Sequence, residues 1–378
     1  MFFYIGATCP IKALTEVQPG IFLDKGWKEK YGIWYKGYST DCRLEDSLLG
    51  IVDGYKPNGK WCAIYQGQVF HPILRGFPMV SDGTDCTNIK LDGFEPCIYE
   101  HNQVVEISPL ITLDEASILI GDILLENTIN FYRYNDITAL TASCSVGLDT
   151  LTCWSILQHV PLIDFSVITH VQKITDRTAH EIVGTVREYD SDLIKKTDVD
   201  YWGYAHATWR NELNWHVGGY YAETFQYRDG EAINALANYQ GKLIDELADK
   251  DDYLYWFLKR PALERYKQTM LKFEDETDLK QFLFSTIFYD HQMWHLDNNI
   301  VFSPFFDIRI PQVMSRLSVE DLTANCVNGI TQRNIINRFC PDLLPLLSDY
   351  KNEKDVWANF RKNIDLLSPE LADKIIYI

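Results

Sequence analysis

Residues 137–159, with the sequence ITALTASCSVGLDTLTCWSILQH, restrict the possible folds of this chain more than any other segment. A β-type run from Ile137 to Ala142 leads into small residues at 143–150, and the apolar spacing of a helix follows. A loop between a strand and a helix start can aim backbone N–H groups at an anion. Asp149 lies in this loop, where it could hold the magnesium of a nucleotide phosphate or simply complement the helix dipole.

The composition indicates a folded protein and argues against polymeric nucleic acid as a partner. The chain has 378 residues, of which 46% are hydrophobic and 13% aromatic, and its length is enough for about two domains. Its formal net charge is -18, whereas neutralising nucleic-acid phosphates requires clustered Lys and Arg. A single nucleotide stays compatible with this charge because it needs only a local positive field.

Sequence signals of export or membrane insertion are absent from the chain. No apolar run approaches the roughly 18 residues of a membrane-spanning helix, and no basic leader precedes the first apolar residues. The nine cysteines are odd in number and include no C-x-x-C pair. We therefore expect a cytoplasmic protein with reduced thiols and no membrane contact.

Two patterns divide the chain. Residues 1–105 combine short apolar runs with turn signals, which predicts a β-rich region. A helix and connector are predicted at 106–136, with start signals from Thr112 through Glu115. From Ile137 onward strand and helix patterns alternate, which predicts a parallel sheet covered by helices. The further elements predicted are a strand at 165–170, helices at 176–189, 229–249 and 276–290, and a mainly helical last hundred residues.

Three other segments are weaker candidates for a site. Residues 54–60 fit G-x-x-x-x-G-K, but Trp61 replaces the Ser or Thr that would touch magnesium, so we interpret this segment as a hairpin turn. His291 and His295 have the spacing of metal ligands on one helix face, yet no third ligand is evident. The aromatic residues of 201–221 could line a pocket for a flat substrate or pack in a core.

Ordered segments resemble the asparagine synthetase family. Residues 145–150 (SVGLDT) are similar to the S-G-G-x-D-S loop of N-type ATP pyrophosphatases, and 303–307 (SPFFD) are similar to the P-F-L-D element. Residues 329–336 and 344–351 resemble the closing K-x-x-L-R and L-P-x-x-x-x-x-x-K elements. Residues 52–55 (VDGY), followed by a hairpin pattern, resemble the class II glutamine amidotransferase domain that precedes them in this family.

The resemblance implies a fold class and two domains. Residues 1–125 would form a degenerate, β-rich domain similar to the Ntn amidotransferases, of the α+β class. Residues 126–378 would form an α/β domain of the ATP-pyrophosphatase type, with a parallel sheet and a helical C-terminus.

The resemblance also implies a chemistry, that of a carbon–nitrogen ligase related to asparagine biosynthesis. Such enzymes adenylate a carboxylate with ATP and Mg²⁺, release pyrophosphate, and pass the acyl group to ammonia or an amine. The partners would be a small carboxylate and a nitrogen donor, and the arrangement is compatible with a homodimer. Asp149 would hold the metal, Arg333 takes the place of the catalytic lysine, and Lys351 matches the terminal lysine. The residues that would hold ATP or pyrophosphate are Ser145, Val146, Gly147, Leu148, Asp149 and Thr150.

The sequence departs from the family at several positions. Phe2 stands where the amidotransferase has its nucleophilic cysteine, so we expect no glutaminase activity. Val146 replaces a loop glycine and adds a Cβ where phosphate approaches. The family's acidic G-x-G-x-D-E segment has no clean match, and Gly218-Gly219 with Glu223, or Asp229-Gly230-Glu231, are the nearest.

These departures leave two rival hypotheses open. The chain could be a catalytically inactive descendant that acts as a binding or scaffold protein. It could also be a nucleotide-modifying ATP pyrophosphatase, in which the aromatic residues of 201–221 would stack on a base.

Overall fold

The computed structural model describes part of the chain, and the account below concerns that part. The described residues are 2–7, 28–30, 33–39, 61–65, 68–70, 105–135, 137, 139–143, 147–160, 164–169, 216–219, 221–242, 272–286, 301–347, 363 and 366–377. The predictions for 54–60, 176–189, 201–215, His291 and His295 lie outside these residues.

The predicted fold class is wrong. Helices account for 65% of the interpretable structure, which does not agree with a β-rich domain followed by a parallel-sheet ATP-pyrophosphatase domain. The physical reason is that two of the five strands described beyond residue 137, His216–Val217 and Val301–Phe302, have only two residues each. The helices carry most of the buried side chains of the described core. The described part of the chain is therefore mainly helical.

Strands β1 to β5 lie in the first 70 residues. Their bounds are Phe2–Ala7, Lys28–Lys30, Ile33–Ser39, Trp61–Tyr65 and Gln68–Phe70. Strand β1 pairs antiparallel with β3 and parallel with β4, in the order β2-β3-β1-β4-β5.

Five further strands pair in parallel. They are β6 (Ala139–Ser143), β7 (Asp164–Thr169), β8 (His216–Val217), β9 (Val301–Phe302) and β10 (Ile375–Tyr377), in the order β10-β7-β6-β8-β9. Strand β6 pairs with β7 on one side and with β8 on the other. The chain therefore leaves β6 and β8 at the same edge, where ligands commonly bind in parallel arrangements.

Helices surround these short strands. They are α1 (Leu113–Tyr134), α2 (Leu148–Leu157), α3 (Ala222–Phe225), α4 (Gly230–Gln240), α5 (Glu276–Thr286), α6 (Arg309–Met314), α7 (Val319–Asn328), α8 (Ile330–Phe339) and α9 (Pro369–Ala372). A 3₁₀ helix covers Pro341–Leu346. The helices predicted at 106–136, 229–249 and 276–290 are confirmed where residues are described.

Helix α1 begins at a capping box. The side chain of Thr112 accepts a hydrogen bond from the backbone N–H of Glu115, and the Glu115 carboxylate accepts one from the backbone N–H of Thr112 at 2.9 Å. The helix then runs through residues 125 and 126, where we placed a domain boundary. The division into two domains stays a prediction.

The core forms where α1, α2, α8 and the strands meet. The rings of Phe131 on α1 and Phe302 on β9 stack with centroids 3.9 Å apart, and Trp154 on α2 is fully buried. Burying each side chain of this size contributes roughly 1.5–3 kcal/mol. Among the described residues, no helix is long and apolar enough to span a membrane.

Candidate functional site

The start of α2 is the centre of the candidate site. Strand β6 ends at Ser143, and α2 begins after Gly147, whose extended backbone (φ -84°, ψ 158°) forms the N-cap. Glycine has no side chain that could accept a hydrogen bond from the first-turn N–H groups. A helix start of this kind, with the positive end of the helix dipole, favours a bound anion.

Asp149, in the first turn of α2, is held by two side chains from elsewhere in the chain. The amide Nε2 of Gln332 donates a hydrogen bond of 2.6 Å to Asp149 Oδ1, and Nη1 of Arg228 lies 3.6 Å from the same oxygen. The Arg228 side chain is 0% exposed and that of Asp149 is 25% exposed. A buried guanidinium requires a counter-charge, so this pair fixes the Asp149 carboxylate in place.

Two glycines allow other segments to approach α2 closely. A Cβ built on Gly219, just after β8, would lie 2.5 Å from Asp149 Cβ and 2.8 Å from the Asp149 carbonyl carbon. A Cβ built on Gly329, between α7 and α8, would lie 2.3 Å from Leu148 Cδ1. All three distances are shorter than packed carbon atoms tolerate. The first turn of α2 is therefore packed closely against the segment after β8 and against the turn between α7 and α8.

Of the residues predicted to hold phosphate, those that the structure describes lie at the start of α2. Gly147 is the N-cap, Leu148 is buried with 1% exposure, and Asp149 faces Gln332. The Thr150 hydroxyl donates to the carbonyl of Gly147 at 3.2 Å, so it must rotate before it can donate to a ligand. Ser145, Val146 and Lys351 lie outside the described residues.

The side chain of Arg333, the predicted catalytic residue on α8, contacts the C-terminal end of α7. Its Nε donates to the carbonyl of Asn328 at 2.9 Å, and its backbone N–H donates to Gly329 at 3.0 Å. The neighbouring Gln332 is the residue of α8 that contacts Asp149. The bond of Gln332 to Asp149 was not predicted, because a glutamine directly before Arg333 in the sequence carries no signal of such a contact.

The segment from Gly218 to Arg228 also contributes to the site. It contains two tyrosines with positive φ, Tyr221 (64°) and Tyr227 (53°), a conformation that bulky residues rarely adopt. Strained backbone of this kind is concentrated at functional sites. Asp229, a weak candidate for the acidic element, instead caps α4, with its Oδ1 accepting from Ala232 N at 2.8 Å.

The segment 303–307 has a structural role. Asp307 is buried and accepts hydrogen bonds from Arg309 Nη2 at 2.8 Å and from Asn127 Nδ2 at 3.3 Å. Asn127 also donates to the carbonyl of Pro304 at 2.9 Å. These bonds attach the chain after β9 to α1.

The donor set of the site is small. Within the residues that the structure describes, no group of three or more His, Cys, Asp or Glu side chains could hold a metal ion. Magnesium often binds one or two carboxylates and completes its shell with phosphate oxygens and water. Asp149 fits that minimal requirement, although a metal at Oδ1 would compete with Arg228.

Comparison with known proteins gives no relative that bears on the site. The chain matches no protein-family model, no curated protein and no solved structure.

Proposed function

We propose that the chain is an ATP-dependent carbon–nitrogen ligase of the asparagine-synthetase type, without glutaminase activity. One observation supports this proposal above the others. The α2 start, which resembles a pyrophosphate loop, is joined to the α8 segment by the Gln332–Asp149 hydrogen bond across 183 residues of sequence. The two segments singled out by resemblance are thus neighbours in space.

In the proposed reaction a carboxylate oxygen attacks the α-phosphorus of ATP, and the bond from that phosphorus to the pyrophosphate oxygen breaks. Ammonia or an amine then attacks the acyl carbon, AMP leaves, and the nitrogen loses a proton. The start of α2 would hold the phosphates, and Asp149 would position Mg²⁺, which neutralises their charge. Arg228 would keep the Asp149 carboxylate correctly oriented.

The experiment that tests the proposal measures product formation. The protein is incubated with MgATP, ammonium and a panel of small carboxylates, and AMP and pyrophosphate are quantified. We expect carboxylate-dependent AMP that is lost in Asp149→Ala. Asp122→Ala is the matched control, because the exposed Asp122 carboxylate pairs with Arg338 at the surface. No MgATP binding at millimolar concentration by calorimetry would refute the proposal.

A second candidate function is nucleotide binding without catalysis, as in a scaffold protein. It is favoured by the ion pair of Asp149 with Arg228, which occupies the carboxylate that would hold Mg²⁺. MgATP binding with no AMP from any carboxylate would support this second function.

A further inference from the structure

The buried side-chain amide of Gln332 forms a hydrogen bond through its nitrogen but not, among the described residues, through its oxygen. The residue is fully buried, and its Nε2 donates to Asp149, whereas its Oε1 has no hydrogen-bond partner within the part of the chain that is described. A buried carbonyl oxygen without a donor is costly, and such groups often mark a place where a ligand supplies the missing partner.

The orientation of this amide is determined by its neighbour. If the amide were turned over, Oε1 would face the Asp149 carboxylate, and two acceptors would repel each other. Nε2 must therefore point to Asp149, and Oε1 lies on the other side of the same planar group. Because Nε2 of the same amide is 2.6 Å from Asp149 Oδ1, and Asp149 is in the first turn of α2, the unfilled acceptor lies within one amide group of the Asp149 carboxylate at this helix start.

The site therefore combines donors with acceptors. The first turn of α2 and the buried Arg228 attract an anion, while the Asp149 carboxylate and Gln332 Oε1 can only accept hydrogen bonds. A fully ionised oxyanion would meet two acceptors without a hydrogen to share. An oxyanion with its own hydroxyl can donate to one of them, which converts a repulsive contact into a hydrogen bond.

We propose that the start of α2 binds a protonated phosphate group, as in inorganic phosphate or pyrophosphate, and discriminates against sulfate. Gln332 Oε1 accepts a hydrogen bond from the P–OH group, and Arg228 with the helix N–H groups holds the charged oxygens. Sulfate has the same shape but no proton at neutral pH. The inference rests on the phosphate-binding part of the proposed function. It concerns inorganic phosphate and the released pyrophosphate, whose terminal groups can carry a proton at neutral pH, and not the α- and β-phosphates of bound MgATP, which carry none.

The test is an anion-binding comparison with the full-length protein at pH 7 in the presence of a chelator. Inorganic phosphate, pyrophosphate and sulfate are titrated separately by calorimetry, at constant ionic strength. We expect phosphate and pyrophosphate to bind at least about tenfold more tightly than sulfate, which corresponds to about 1.4 kcal/mol. This comparison uses only the wild-type chain, so it does not depend on the folding of any variant.

A variant then assigns the selectivity to the Gln332 amide. Gln332→Met has a similar length but neither the Oε1 acceptor nor the Nε2 donor to Asp149, so the phosphate-to-sulfate ratio should fall towards one. Gln312→Met, a half-buried glutamine on α6, is the control and should keep the wild-type ratio. Circular dichroism melting verifies that both variants are folded.

Each result has a definite meaning. Equal affinity for sulfate and phosphate, or no anion binding at all, overturns the inference. An unchanged ratio in folded Gln332→Met overturns the role of Gln332. If the ratio is as expected but no carboxylate yields AMP, the ligase proposal fails and the anion selectivity stands.

Discussion

Gly329 and Gly241 offer a matched pair for testing how closely α7 and α8 approach α2. Both glycines follow a helix and have nearly the same left-handed backbone, with φ of 60° and 66°. A Cβ on Gly241 would meet nothing within 4 Å. A Cβ on Gly329 would lie 2.3 Å from Leu148 Cδ1 and 3.3 Å from Arg228 Nη2. An alanine at either position therefore has the same backbone strain but different steric contacts.

The expected losses of stability follow from this difference. Left-handed backbone costs a non-glycine residue about 1–2 kcal/mol, so Gly241→Ala should lose roughly that amount. Gly329→Ala should lose about 1–3 kcal/mol more, because it overpacks a buried contact. The free energy of unfolding is obtained from urea titrations followed by circular dichroism, with the m-value compared among variants.

A double-mutant cycle locates the steric contact. Leu148→Ala alone should cost about 2–5 kcal/mol, since Leu148 is 1% exposed. Combined with Gly329→Ala it should cost less than the sum, because the clashing Cδ1 is gone, with a coupling of about 1–3 kcal/mol. Equal losses for the two glycine variants, or additive losses in the cycle, would refute the close approach of Gly329 to α2.

Three further predictions concern other parts of the fold. Two hydrogen bonds from Thr112 lower the pKa of Glu115; the bond from its backbone N–H has the larger effect and the bond from its side chain the smaller one. These bonds stabilise α1 fully at neutral pH, and the stabilisation is lost as the pH falls through the lowered pKa. Thr112→Ala, which removes the side-chain bond only, should raise the Glu115 pKa part of the way in an NMR titration; no change would contradict the capping box. Asn127→Ala should destabilise the protein by about 1–3 kcal/mol in urea, because two buried bonds to the 304–307 segment are lost, and a neutral effect would argue against that attachment. Burial raises the pKa of both Cys153 and Cys340, but Cys340 is only half-buried, so peptide mapping after alkylation of the native protein should show Cys340 modified well before Cys153.

The elements that were predicted correctly begin or end at residues with a recognisable local pattern, such as a helix cap or a turn. The Thr112–Glu115 pattern marked the start of α1, and the 137–159 pattern placed the junction now seen between β6 and α2. Two-residue strands such as His216–Val217 are too short to show periodicity, and the weight of the helices in the fold was underestimated for that reason.

The candidate site was only half accessible to sequence reasoning. Asp149 was found because it stands in a recognisable loop at a helix start. Arg228 and Gln332 were missed because their roles depend on two distant segments meeting at one carboxylate. The close approaches of Gly219 and Gly329 likewise exist only in the folded chain.

The packing of α1 against α8 has a consequence for the order of events during synthesis. Arg338 on α8 bonds to Asp122 on α1 across 216 residues of sequence, and Phe339 packs beside Gly121 of α1. A ribosome adding 5–20 residues per second needs about 10–40 seconds to make that intervening stretch. During this interval the apolar face of α1 has no cover from α8. Nascent chains that stop before residue 330 should therefore bind chaperones or aggregate more than completed chains, in which α8 covers this face.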